Sequence, residues 1–298
     1  MNSSLEVLKK IYKPYRYTLK GNVVVLHTTS GDLVVKKKSD TDIKKIFNYL
    51  KSRNFDNFPN LIDDSRSDIN VYEYVSDITM PKEQKAQDLI NIISLLHSKT
   101  TYFKVVSDDT FKSIYDSIKS NIDYLNDYYN NLINNIKRVE YPSPSEYLIL
   151  RNSSKIFSCL DFCSNELNNW FDIVKEEHKQ RVSLIHNNLS LNHFIKNDKE
   201  YLISWDKSKV DNPVLDLINF YKNDYFDLDF TTLFSMYQSK YPLTENEKKL
   251  LFIVISLPKK IELNNNEFNN CKIVRESLDY LFKTEELVRP YYTIDKKD

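Results

Sequence analysis

The sequence predicts an α+β protein in which a small antiparallel sheet with one helix precedes a larger, mainly helical part. Short runs of β-branched residues separated by turn residues fill much of residues 16–75. Apolar residues recur at helical spacing through most of the remaining chain. A single polar stretch between short apolar runs, at residues 186–193, interrupts that helical part. Strands followed by helices, rather than strands alternating with helices, indicate a segregated α+β arrangement.

The first strands are predicted at residues 16–20, 22–28 and 32–37 as an antiparallel meander. Gly21 and Gly31, the 2 glycines of the chain, lie at the breaks between them, where a turn needs conformational freedom. A helix is predicted over residues 40–53, since Ile43 begins an apolar pattern at i, i+3, i+4 and i+7. Two short strands near residues 60–62 and 70–75 complete a five-stranded sheet.

The helical part contains predicted helices at residues 80–98, 111–136, 167–174, 245–257 and 266–285. Another helix begins at Ser143, where Ser, Pro and Glu have the spacing of a capping box with proline in the first turn. Inside this part, residues 181–185 predict a strand that leads into the polar loop, and residues 194–206 predict a hairpin after it. A polar loop on such a support is a candidate site.

Composition excludes several function classes. Lys plus Arg (42) equals Asp plus Glu (42), so the chain has no net positive field for nucleic acid. Its glycines are too few for a Gly-rich or Walker-type phosphate loop. The three cysteines, Cys159, Cys163 and Cys271, lack zinc-site spacing. Without a signal-like N-terminus or a long apolar run, the protein is expected in the cytoplasm, without a membrane span.

The stretch LIHNNLSLNHFIKNDKEYLISWDKSKVDNPVLDL, residues 184–217, resembles the core of the aminoglycoside/choline phosphotransferase superfamily. That superfamily has His-Gly-Asp-Leu, three residues and Asn, then a hairpin, Ile-Asp-Trp or Ile-Asp-Phe, and Asp-Pro-x-x-Asp-Leu. The residues that match are His186, Leu189, Trp205, Pro213, Asp216 and Leu217. Upstream, Lys36 resembles the ATP-binding lysine, residues 72–75 the hinge, and Leu96-His97 the end of the first helix after it.

The resemblance implies a two-lobed protein-kinase-like fold, with an N-lobe at residues 1–76 and a helical C-lobe at residues 77–298. It implies ATP and magnesium as cofactors, with Lys36, Glu73 and Val75 on the nucleotide side. The long helical insertion is most similar to the spore-coat kinase-like branch of Gram-positive bacteria, which would make coat proteins partners and the protein spore-associated. An unknown small molecule is the other candidate partner.

Three departures separate this sequence from the family pattern. Asn188 replaces the loop aspartate that orients and deprotonates the acceptor hydroxyl, His193 replaces the magnesium-binding asparagine, and Ser204 replaces the magnesium-binding aspartate. A neutral amide cannot accept a proton, and magnesium prefers carboxylate oxygens. The leading hypothesis is therefore a pseudokinase that serves as a binding or assembly module, and the binding of ATP and magnesium is in doubt.

The alternative hypothesis is an active ATP-dependent phosphotransferase with a rearranged metal site. Residues two apart on a strand share a face, so Asp206 would point to the same side as Ser204. Simpler interpretations also stay open for single residues. His186 at the loop can be structural, Asp216 can be a local cap, and Lys36 can be one of three solvated lysines at a strand end.

Overall fold

The computed structural model describes residues 2–21 and 23–292. By packing, the chain separates into two compact units. Of the described residues, the first holds those up to Tyr102 with Ser183–Asn219 and Ser239–Tyr241, and the second holds Phe103–Val182, Phe220–Gln238 and those from Pro242 onward. The division into residues 1–76 and 77–298 stays a prediction.

The helices are α1 (Asn2–Tyr12), α2 (Ile43–Ser52), α3 (Lys82–Thr100), α4 (Asp108–Ile136), α5 (Pro144–Arg151), α6 (Ser153–Val174), α7 (Val214–Asp224), α8 (Phe230–Lys240), α9 (Glu245–Ser256) and α10 (Glu267–Val288). The strands are β1 (Arg16–Lys20), β2 (Val23–His27), β3 (Leu33–Lys37), β4 (Leu61–Asp63), β5 (Ile69–Glu73), β6 (Tyr102–Val105), β7 (Lys179–Ile185), β8 (Phe194–Lys196), β9 (Glu200–Leu202) and β10 (Lys209–Asp211). Short 3₁₀ turns occupy Leu191–His193, Trp205–Lys207 and Arg289–Tyr291.

The first unit is built on the predicted five-stranded antiparallel sheet, in the order β1-β2-β3-β5-β4. Strand alternation divides its side chains between two faces. On one face Val24, Val35 and Val71 form a buried cluster with Leu8 of α1, a helix that the sequence analysis did not predict. Val35 points into this cluster, so its neighbour Lys36 is directed to the other face.

Helix α2 confirms the predicted amphipathic helix. The Asp42 side chain caps it by accepting a hydrogen bond from the Lys45 N–H at 3.1 Å, and Ile43, Phe47 and Leu50 are its buried stripe. Helix α3 begins at Lys82, two residues later than the predicted start at residue 80, and Pro81 lies at its cap. Proline suits this boundary because it has no N–H to leave unpaired.

The polar stretch of the first unit follows the predicted order, with one correction. Strand β7 leads into it, β8 and β9 form a hairpin, and β10, which was not predicted, returns antiparallel to the end of β7. The second strand of the hairpin predicted at residues 194–206 ends at Leu202, because Ser204 adopts a left-handed conformation with φ 67 and ψ 49. Ser204 and Asp206 therefore do not share a strand face.

The second unit is mainly helical. The capping box predicted at Ser143 is present, and Thr244 and Glu247 form a second one at the start of α9. Helix α6 is much longer than the predicted residues 167–174, and α8 and β6 were not predicted. Among the residues that the structure describes, no helix is long and apolar enough to cross a membrane.

Candidate functional site

A cavity of about 400 Å³, named the central cavity, lies within the first unit. The sheet face opposite the α1 cluster, the linker after β5 and the β8–β9 hairpin region enclose it. Its apolar lining is Val23, Val25, Val34, Phe47, Pro59, Tyr72, Tyr74, Val75, Phe194, Ile195, Ile203 and Trp205. Its charged and polar lining is Lys20, Lys36, Glu73, Asp77, Lys85, Asn192, Ser204 and Asp206. Apolar walls with a few convergent polar groups are typical of ligand sites.

Lys36 is the lysine that enters the central cavity. Its Nζ pairs with the Asp206 carboxylate and lies 3.4 Å from Ser204 Oγ. Both side chains of the pair are mostly enclosed, at 23% and 22% exposure. Lys37 is exposed, and Lys38 donates to the backbone carbonyl of Asp64 at 2.7 Å. Lys36 is therefore not a solvated lysine at a strand end.

Asp206 is held by its backbone as well as by its carboxylate. It lies in the 3₁₀ turn that follows the left-handed Ser204, and the Thr41 hydroxyl donates to its backbone carbonyl. Trp205 is buried between these two residues and its indole N–H donates to Leu202 O at 2.7 Å. The turn, not a shared strand face, brings Asp206 to the same lysine as Ser204.

Glu73 and Val75, predicted on the nucleotide side, both line the central cavity. The Glu73 carboxylate accepts hydrogen bonds from the N–H and the side-chain amide of Asn60, at 2.9 and 2.8 Å. This anchors the end of β5 to the residues that precede β4. Lys20, another lining residue, has its Nζ 5.6 Å from the centroid of the Tyr74 ring, at cation–π distance.

The loop at residues 186–193 is fixed by a buried carboxylate. Asp216 accepts from the His186 N–H at 2.8 Å and from the Asn187 N–H at 2.6 Å, and it lies 3.1 Å from His97 Nε2. His186 is fully buried, with Nε2 2.8 Å from Ile203 O, so Nε2 carries the proton that it donates. Burial lowers the pKa of His186, which keeps the ring neutral.

Asn187 occupies the position of the family glycine, and its φ of 55 lies in the left-handed region. Asparagine tolerates this conformation better than most residues with a Cβ. Asn188 follows with a half-buried side chain, and its backbone carbonyl accepts from His193 Nδ1 at 2.6 Å. His193 therefore uses one ring nitrogen to close the loop.

The eight predicted site residues fall into two groups. Five of them line the central cavity, namely Lys36, Glu73, Val75, Ser204 and Asp206. His186, Asn188 and His193 lie in the loop and are not among the residues that line it. The sequence analysis did not single out Thr41, Lys20, Asp77 or Lys85, since an isolated polar residue beside a strand or helix carries no pattern of its own.

The lining of the central cavity matches a planar apolar group better than it matches magnesium. Its walls are mostly apolar, and the Lys36 ammonium is paired with the Asp206 carboxylate. Within residues 2–21 and 23–292, no three His, Cys, Asp or Glu side chains come close enough together to hold a metal ion. Asp206 offers a carboxylate, but Lys36 already occupies it. A magnesium role for Asp206, His193 and Ser204 stays a prediction.

Comparison with known proteins identifies the fold. The chain matches no protein-family model and no curated protein. Among solved structures it resembles an aminoglycoside phosphotransferase from Alicyclobacillus acidocaldarius, with TM-score 0.67 and 10% identity over 94% of this chain and 92% of that one. AMP-bound spectinomycin phosphotransferase APH(9)-Ia gives TM-score 0.55 and 13% identity over 99% of each chain. The kinase-like fold predicted from the sequence is thus confirmed.

Proposed function

We propose that this protein is a pseudokinase, a kinase-fold module that binds a ligand in the central cavity without transferring phosphate. The observation that carries the proposal is the pairing of Lys36 with Asp206 on the cavity wall. The lysine that would bind phosphate and the carboxylate that would bind a metal neutralise each other. A ligand that enters the central cavity therefore finds the Lys36 ammonium and the Asp206 carboxylate already paired with each other.

The loop residues support the same conclusion. Asn188 has nearly the shape of aspartate but no charge, and a general base contributes about 10²–10⁴-fold to such a reaction. The His193 ring is engaged with the Asn188 carbonyl at 2.6 Å, and imidazole is a poor ligand for magnesium. The loop retains the shape imposed by Asp216 without the groups that phosphoryl transfer uses.

The walls of the central cavity support ligand binding. Val25 and Val34 line it from the sheet, and Ile203 lines it from the hairpin region. Between them a planar heterocycle such as adenine would be desolvated on both faces. In the described chain, the Val75 N–H has no hydrogen-bond partner, and a base edge would satisfy it.

A second candidate function is ATP-dependent phosphotransfer to a small-molecule hydroxyl, and one observation favours it. The Asp206 carboxylate lies in the central cavity beside Lys36 and Ser204, although the family places its aspartate two residues earlier. A rearranged site would use Asp206 as the metal ligand and Lys36 on the phosphates. The activities named for the two similar structures would then extend to this chain as a class.

The proposed partners and location follow from the sequence resemblance. Similarity to the spore-coat branch favours coat proteins as partners of an assembly module and association with the spore, whereas the cytoplasmic location is proposed from the sequence alone. An unidentified small molecule in the central cavity is the other proposed partner.

The deciding experiment measures ATP affinity by calorimetry, with and without magnesium, in the unmodified protein and in D206N, K36M and K37M. For a pseudokinase, D206N frees Lys36 and strengthens metal-free ATP binding by roughly tenfold, since a charge-assisted contact is gained. K36M removes that gain. K37M changes the same charge at an exposed neighbour and leaves the affinity unchanged.

The two candidate functions give opposite results for D206N. If magnesium strengthens ATP binding in the unmodified protein and D206N abolishes that effect, Asp206 is a metal ligand and the pseudokinase proposal is wrong. Phosphate transfer from ATP to an aminoglycoside or choline, lost in D206N, would establish the second candidate.

A further inference from the structure

Three side chains of the first unit, Thr18, His27 and Asp32, form a hydrogen-bonded group that is named the Thr18–His27–Asp32 cluster. His27 Nε2 lies 3.1 Å from Thr18 Oγ1, and His27 Nδ1 lies 2.7 Å from Asp32 Oδ2. All three residues are half-buried. None of them is among the residues that line the central cavity, so chemistry at this cluster is independent of the function proposed for that cavity.

Strand pairing brings Thr18 and His27 together on one face of the sheet. Strands β1 and β2 pair antiparallel, with Thr18 opposite Val25 and Arg16 opposite His27. Leu26, which lies between Val25 and His27, points into the buried cluster with α1, so its two neighbours point to the other face. Thr18 and His27 are therefore diagonal neighbours on that face, within reach of a hydrogen bond.

The turn between β2 and β3 brings Asp32 back to His27. Within the turn, the Gly31 N–H donates to Thr28 O at 3.3 Å, and the Thr28 hydroxyl donates to Gly31 O at 2.5 Å. Gly31 has φ 121, a conformation that residues with a Cβ rarely adopt. After the turn, the Asp32 carbonyl accepts from the Tyr74 N–H at 3.1 Å. The Asp32 carboxylate thus projects from an anchored backbone.

The Asp32 carboxylate decides which His27 nitrogen carries the proton. A carboxylate only accepts hydrogen bonds, so the neutral imidazole donates from Nδ1 to Asp32 and keeps Nε2 as an acceptor. The Thr18 hydroxyl then donates to Nε2. A hydroxyl that is bonded to a histidine base, which a carboxylate orients in turn, is the arrangement that activates serine and threonine as nucleophiles.

Arg16 adds a positive charge beside the Thr18 hydroxyl. It lies two residues before Thr18 on the same face of β1, about 7 Å along the strand. Arg16 is exposed, and an extended arginine side chain covers that distance. A guanidinium in this place stabilises the negative charge that develops on a carbonyl oxygen under attack.

We propose that Thr18 is a nucleophile that takes the acyl group of small activated esters. Thr18 Oγ1 attacks the carbonyl carbon while its proton passes to His27 Nε2, and Arg16 stabilises the oxyanion. The ester C–O bond then breaks, and the leaving oxygen takes the proton from Nε2. In the second step, water gives a proton to Nε2 and attacks the acyl carbon. The carboxylic acid leaves, and Thr18 regains its proton from Nε2.

The test follows the reaction of the full chain with 4-nitrophenyl acetate. Peptide mass spectrometry locates the acetyl groups before and after hydroxylamine, which cleaves esters but not the amides formed at lysines. A hydroxylamine-sensitive acetyl group is expected on Thr18. T18S still forms an ester at this position, whereas T18V, which has the same shape without the hydroxyl, forms none.

Substitution of the base separates the cluster from ordinary imidazole chemistry. H27Q slows acetylation of Thr18 by at least about 10²-fold, the lower end of what a general base contributes. H178Q is the matched control, since it changes an exposed histidine outside the cluster and leaves the rate unchanged.

Asp32 acts through His27, so its test reads the imidazole ring itself. Nitrogen NMR of the neutral His27 ring is expected to show the proton on Nδ1. D32A moves this proton to Nε2, the tautomer that cannot accept from Thr18, and slows acetylation of Thr18. A purely structural Asp32 would leave the tautomer unchanged. The proposal is overturned if the unmodified protein forms no ester on Thr18, if H27Q is acetylated there at the same rate, or if the unmodified ring carries its proton on Nε2.

Discussion

Two aspartates of the first unit, Asp206 and Asp216, lie in opposite environments. Asp216 is fully buried and accepts from the backbone N–H groups of His186 and Asn187. Asp206 has a side chain that is 22% exposed, and it pairs with one flexible lysine side chain on the wall of the central cavity. The first is held by donors fixed in the backbone, the second by a donor that can move.

The contrast between Asp206 and Asp216 distinguishes a carboxylate that a ligand can reach from one that maintains the loop. A buried carboxylate can stay charged only if hydrogen bonds replace its water, so Asp216 and the loop backbone depend on each other. A partly exposed ion pair costs little to break, because water stabilises both groups once they separate. Asp206 is therefore the aspartate that a ligand can displace, whereas Asp216 maintains the loop whether or not the loop is catalytic.

The largest effect on stability is expected for a substitution of Asp216. In D216N the side-chain NH₂ faces a backbone N–H, so one donor of the loop is left buried without an acceptor. We expect the free energy of unfolding to fall by about 3–5 kcal/mol, measured by chemical denaturation. D206N is the matched control, with an expected loss below about 1 kcal/mol. Equal losses in the two variants would contradict the assignment of separate roles.

The second prediction concerns acid sensitivity at His186. Burial lowers the pKa of His186 below its ordinary value of 6.5, so the unfolded chain takes up a proton first as the pH falls. The contribution of His186 to stability is complete above pH 6.5 and is lost below it, by at most about 1.4 kcal/mol per pH unit. Denaturation from pH 7.5 to 5 measures this loss.

H186Q isolates that contribution. Glutamine retains a donor for Ile203 O but does not titrate, so its stability should fall less steeply below pH 6.5 than that of the unmodified protein. Parallel profiles for the two proteins would show that the neutral imidazole does not set the acid response.

Local composition and helical periodicity were enough to predict most of the first unit. The consecutive valines of β2 and β3 indicate strands by their β-branched composition, and the stripe of Ile43, Phe47 and Leu50 reports burial on one face of a helix; both are local properties of the sequence. Five of the predicted site residues meet in one cavity because their motifs end at strands or turns around it. The choice of Lys36 over its two neighbours needed the register of β3 against β5.

The remaining features depend on contacts or conformations that local patterns do not carry. The left-handed Ser204 ended β9 early, and nothing about a serine between two strand-forming residues predicts positive φ. Strand β6 has four exposed residues, so it shows no alternation of burial. The bond between Thr41 and Asp206 joins residues 165 positions apart. In each case tertiary packing, not propensity, decides the outcome.

The smallest expected effect concerns Asn187, whose backbone conformation also shapes the loop that Asp216 holds. N187A and N187G both remove the Asn187 amide, which donates to Lys207 O at 3.1 Å, so they lose the same side-chain contact. Only N187A places a Cβ at φ 55, where a residue other than Gly, Asn or Asp is strained. We expect N187A to be less stable than N187G by about 1 kcal/mol in chemical denaturation. If the two variants are equally stable, the loop does not need a left-handed residue at this position, and the bonds from the Asp216 carboxylate alone set its shape.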